Sequence, residues 1–142
     1  MQQDAIFQPF IGMLVLTFVV WVHLYVRRIA YMRAERIHPQ KLTTPDKRNN
    51  LIPEDVSYPA FNFRNLLELP MLFYVVCLYL YVAGSVDAFY VYAAWWFFAF
   101  RIVHSMIHCT VNRVYWRFYA YALSALGLWL MIARIVVDRL LN

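Results

Sequence analysis

Four continuous apolar runs alternate with polar connections along the chain, at about residues 6–26, 66–83, 88–107 and 118–137. Each approaches the roughly 20 residues that a helix needs to cross bilayer hydrocarbon. Only helices and closed barrels satisfy their own backbone in lipid. The runs are unbroken, whereas barrel strands show alternating polarity over about ten residues. The pattern therefore predicts an all-α integral membrane protein, a single domain over residues 1–142 built as a bundle of four transmembrane helices.

The connections differ in kind. Gly84-Ser85-Val86-Asp87 predicts a tight helical hairpin, with Gly84 at the left-handed position just past the second span. The connection at 27–64 is long and basic. Its first part, to Arg36, extends the first helix into water, and its proline-punctuated part, 39–59, reads as an irregular loop. The connection at 109–117 carries Arg113 and Arg117. Together the first and third connections hold ten of the thirteen Lys and Arg residues. Basic residues accumulate on the cytoplasmic side, so both termini and the hairpin are expected outside.

Composition narrows the class. The chain is 63% hydrophobic and only 15% charged, against about 25% charged in ordinary soluble domains. That excludes a disordered chain, a disulfide-rich secreted module and a typical soluble enzyme. A net charge of +5 would suggest nucleic acid in a soluble protein. Here it reads as orientation and contact with anionic membrane lipids, and no nucleic-acid partner is expected. Cys77 and Cys109 read as buried structural thiols. The first run lacks a basic leader and is expected to be a retained span. With no retention motif at the end, the bacterial cytoplasmic membrane is preferred over the endoplasmic reticulum.

Polar groups inside the spans carry the functional information, because each charge there costs on the order of 2.5–3.5 kcal/mol on insertion scales. Arg101, His104, Ser105, His108 and Asn112 recur at i, i+3, i+4, i+7 and i+11. On a continuing helix they fall within an arc of about 100°. Arg101 lies about 10 Å in from the cytoplasmic end, too deep for snorkelling alone. On the second span, Asn65 and Glu68 share a face, which allows a Glu68–Arg101 ion pair. Pro70 fits a first helical turn or a kink. Arg27, Arg28, Arg33 and Arg36 form a rim at the end of the first span, suited to lipid phosphates or to a ligand carboxylate. His23, His104 and His108 lie at a similar level and leave a haem-binding redox subunit open. No HExxH pattern accompanies them, and no metal site is expected.

These residues resemble the MAPEG family, the membrane-associated proteins in eicosanoid and glutathione metabolism. Asn65-Leu66-Leu67-Glu68 is similar to the Asn-x-x-Glu signature of its second helix. Arg101-Ile102-Val103-His104, followed by His108, is similar to the Arg-x-x-(Tyr or His)-x-x-x-Tyr pattern of its third. Arg33-Ala34-Glu35-Arg36 resembles an Arg-rich segment after the first helix. The resemblance implies a homotrimer that binds glutathione as co-substrate at the cytoplasmic-side boundary between subunits. It implies that Asn65 and Glu68 hold the tripeptide's polar groups. Arg101, His104 and His108 match ligand-contacting positions, and Arg33 matches a thiolate-stabilising arginine. Two departures stand out. Phe61 occupies the place of an expected arginine, for which Arg64 is the nearest substitute, and His108 stands where many members have tyrosine.

The implied function is a glutathione-dependent transferase or peroxidase acting on an apolar electrophile or lipid hydroperoxide. The thiolate is the nucleophile, and a thiol with a pKa near about 8.5 needs a cation to favour it at neutral pH. The alternative is a non-catalytic lipid-binding or scaffold member of the same fold.

Overall fold

The computed structural model describes residues 2–141, and all of its regular structure is helical. Six α-helices follow in order: α1 (Phe7–Ala34), α2 (Pro45–Leu51), α3 (Glu54–Leu66), α4 (Leu69–Val82), α5 (Ala88–Cys109) and α6 (Val114–Val136). Short 3-10 turns precede α1 and α2. The long elements run antiparallel. At one end the Gln3 side chain bonds both the N–H and the C=O of Val86, and Arg139 donates to Ser85. The start of α1, the hairpin and the end of α6 therefore meet there. Arg27, Asp55 and Cys109 lie toward the opposite end.

Three stretches are long and apolar enough to cross a membrane: Gln3–Ala34, Glu54–Val82 and Val114–Arg139. The third expected span, 88–107, is a helix of 22 residues, α5, but Arg101, His104 and its tyrosines and tryptophans lower its hydropathy. Large apolar side chains face outward along α1, among them Ile11, Val15, Phe18 and Val22, as a lipid-facing surface requires.

The basic connection departs from expectation. Residues 39–59 are not an irregular loop: they form a 3-10 turn, α2 and the first part of α3. The prolines that read as breakers are mostly helix starters. Pro39 and Pro45 sit in first turns, where a missing N–H costs nothing. Thr44 caps α2 by accepting from the Lys47 N–H at 3.3 Å. Pro59 alone lies inside a helix, α3. It cannot donate to the Asp55 carbonyl four residues earlier, and Arg27 Nη2 donates to that carbonyl instead, at 3.3 Å.

Pro70 breaks the second expected span. Its absent N–H would have bonded Leu66, and the chain interrupts its helix at Leu67 and Glu68 before α4 resumes. The predicted hairpin is present. Gly84 has φ +63°, and Ser85 N–H reaches Leu80 C=O at 3.0 Å, closing α4 as a left-handed cap does. Asp87 caps α5 through the Tyr90 N–H at 3.2 Å. In the core, Phe73 stacks on Phe97 with centroids 4.4 Å apart. Gly127 lets α6 lie close against α5. A Cβ there would meet Trp96 Cδ1 at 2.9 Å and the Ala93 carbonyl at 3.0 Å.

Candidate functional site

Near the end of the bundle away from the hairpin, α3, α5 and α6 enclose an open cavity of about 590 Å³. Its wall carries Glu54, Arg64, Asn65, Glu68, His104, His108, Asn112, Arg117 and Tyr121, with Phe61, Val114 and Phe118 as apolar members. Five of the seven expected site residues thus converge on one space: Arg64, Asn65, Glu68, His104 and His108.

The break at Leu67 and Glu68 creates part of this site. The last carbonyls of a helix lack donors four residues on, and the Asn65 carbonyl keeps only a long bond from the Glu68 N–H, at 3.4 Å. Arg101 Nη2 donates to it at 3.2 Å and to Asn65 Oδ1 at 2.6 Å. A cation at a helix C-terminus is also favoured by the backbone dipoles. Asn65 Nδ2 in turn donates to Glu68 Oε2 at 3.4 Å. The expected Glu68–Arg101 ion pair is therefore not a direct one. Asn65 stands between the two groups, anchored by the cation and contacting the carboxylate.

Arg101 is wholly buried and does not line the cavity. Its Nε and Nη1 have no partner among the described residues, and its guanidinium lies 5.6 Å from the centre of the Tyr121 ring. Its contact with the site runs through Asn65.

The two histidines are held in opposite senses. His104 Nδ1 lies 2.9 Å from the Arg117 carbonyl. That oxygen only accepts, so Nδ1 donates. His108 Nε2 lies 3.1 Å from Arg117 Nη1. A guanidinium only donates, so Nε2 accepts and His108 is neutral with its proton on Nδ1. Arg117 Nη1 also donates to Asn112 Oδ1 at 2.6 Å. The expected polar stripe needs a helix continuing through Asn112, but α5 ends at Cys109 and Asn112 adopts φ +46°. Asn112 reaches the site from a turn, not from the helix face.

Arg117, expected in a connection, is a site residue that the sequence pattern did not single out. It occupies the first turn of α6, and Tyr121 follows one turn later on the same face. That i, i+4 pair at the mouth of a span was the available signal. Arg33 does not join the cavity. It lines a separate groove with Ile29, Met32, Arg36 and His38. His23, on α1, is likewise outside the wall that His104 and His108 share. Among the described residues, no three His, Cys, Asp or Glu side chains are gathered for a metal ion.

A family model for the MAPEG family matches residues 6–137, nearly the whole chain. The chain belongs to the MAPEG family. No match was found among curated proteins or among solved structures. In this MAPEG chain the Asn65–Glu68 and Arg101–His104 segments lie against one another, α3 meeting α5 at the cavity wall.

Proposed function

We propose that this MAPEG chain is a membrane-bound transferase or peroxidase that uses glutathione as co-substrate against an apolar electrophile or lipid hydroperoxide. The observation that carries the reading is the mixed charge of the cavity wall. Glutathione has two carboxylates and one ammonium, and the wall offers Arg64 and Arg117 beside Glu54 and Glu68. Phe61, Val114 and Phe118 supply an apolar flank for the second substrate.

Arg117 is the cation best supported for the thiolate. It lines the cavity and is oriented by His108 and Asn112, whereas Arg33 lies in another groove of the same chain. A cation favours the thiolate by direct charge interaction. His104 and His108 orient Arg117 and bound substrate, Asn65 and Glu68 hold polar groups of the tripeptide, and Arg101 acts as a positioning residue through Asn65.

In this reading α5 crosses the membrane as the third of four spans. Its 22 residues reach about 33 Å at 1.5 Å per residue, and its polar face is turned to the cavity rather than to lipid. The cavity opens sideways toward a neighbouring subunit of a homotrimer, on the cytoplasmic side of a bacterial inner membrane.

The test is native mass spectrometry of the detergent-solubilised protein with glutathione, followed by turnover of a model electrophile. The expected result is a trimer that binds glutathione. Arg117→Gln is expected to move thiolate formation, read by ultraviolet absorbance of the complex, upward by about 1–3 pH units. Arg33→Gln is expected to leave it near wild type. A trimer that retains lipid but ignores glutathione favours the second reading, a non-catalytic lipid-binding member. Phe61, in the cavity wall where the family expects an arginine, is the observation behind that alternative.

A further inference from the structure

A second cavity, of about 340 Å³, lies between α1, α2 and α3. Three arginines line it, Arg28, Arg48 and Arg64, and no aspartate or glutamate does. Among the described residues, the carboxylates that close ion pairs do so with Arg27 and Arg134. Arg27, next to Arg28 in sequence, takes Asp55 at 3.5 Å. The three cavity guanidiniums are left without an anionic partner.

Trp21, Tyr25, Phe61 and Phe63 are the cavity's aromatic members, beside smaller apolar side chains and the polar Asn49 and Ser57. Trp21 and Tyr25 pack edge to face at 5.0 Å. They share a face of α1 with Arg28, three residues beyond Tyr25 and seven beyond Trp21. Tryptophan and tyrosine favour the headgroup level of a membrane, so the arginines open at that level. Arg48 is delivered by α2, the helix that Thr44 caps and Pro45 starts.

We propose that this cavity binds a phosphate anion, carried by the headgroup of an acidic phospholipid. Guanidiniums match phosphate oxygens in paired hydrogen bonds, and the aromatic wall takes the glycerol and the first carbons of the acyl chains. Soluble phosphate presents the same chemistry to the arginines but has no use for that wall. Arg64 and Phe61 line both cavities, so the test rests on Arg28 and Arg48, which line only this one.

The full chain is purified in detergent containing equal amounts of phosphatidylglycerol and phosphatidylcholine, and retained lipid is counted by native mass spectrometry. Phosphatidylglycerol is expected to be retained in preference. Arg28→Gln and Arg48→Gln are each expected to weaken that retention about fivefold. Arg27→Gln, whose partner is Asp55, is expected to change it by less than about twofold. Arg48 lies on a short exposed helix, so its variant remains informative if Arg28→Gln fails to fold. Retention that survives millimolar inorganic phosphate identifies the lipid headgroup. Displacement by phosphate keeps the anion site and makes soluble phosphate its ligand. Equal retention of the two lipids, or retention unchanged in both variants, overturns the proposal.

Discussion

Asn65 is the residue on which the site turns. It accepts from a buried cation with both its side chain and its backbone, and it contacts Glu68 with its amide nitrogen. Asn65→Ala removes the side-chain acceptor from Arg101 and is expected to destabilise the protein by about 2 kcal/mol, because hydrogen bonds to charged groups are worth about 1.5–3 kcal/mol. Asn65→Asp keeps an acceptor and is expected to unfold nearer wild type. Thermal unfolding in a fixed detergent distinguishes the three. At the opposite end of the bundle, Asp87 has a carboxyl below its usual range. Burial pushes it up, but the Arg134 guanidinium, bonded to both carboxylate oxygens, and the Tyr90 N–H outweigh that. A lowered carboxylate adds stability above its unfolded pKa and loses it as pH falls through the folded one. Unfolding followed through the acid range is expected to show a loss at that end of the scale that Asp87→Asn flattens.

At the scale of elements, proline and glycine explain where helices begin, break and touch. The same residue type starts α2 at Pro45, frees the Asp55 carbonyl at Pro59 and separates α3 from α4 at Pro70. The last of these exposes the carbonyl that Arg101 uses. The two instructive glycines fail differently when substituted. Gly84→Ala meets nothing within 4 Å but must hold φ +63°, so it is expected to cost about 1–2 kcal/mol through backbone strain alone. Gly127→Leu has an ordinary helical backbone but collides with Trp96 and the Ala93 carbonyl. It is expected to cost about 1–3 kcal/mol by forcing α5 from α6. Unfolding midpoints measure both, and loss of a near-ultraviolet tryptophan signal is expected only for Gly127→Leu.

At the scale of the whole molecule, the start of α1 and the end of α6 lie at the same end as the hairpin. If α5 crosses the bilayer with the other three stretches, both termini lie on one side; three crossings would separate them. Protease protection of terminal tags in sealed vesicles is expected to place the two tags together, on the side away from the cavity. A tag exposed on each side would remove α5 from the membrane-spanning set.

Membrane residence, the helical class, the three stretches long and apolar enough to cross a membrane and the Gly84 hairpin were legible in the residues themselves. They follow from local properties: apolar run length, backbone freedom at glycine and the cost of charge in hydrocarbon. The convergence of Asn65 and Glu68 with His104 and His108 was legible in part, because helical spacing reveals which residues share a face. What faces that face is not a local property. Only tertiary packing put Asn65 between Arg101 and Glu68, brought Arg117 across to His108 and sent Arg33 to another groove. Each of these depends on how rigid helices meet across tens of residues, and no spacing along one strand of sequence encodes the distance between two helices.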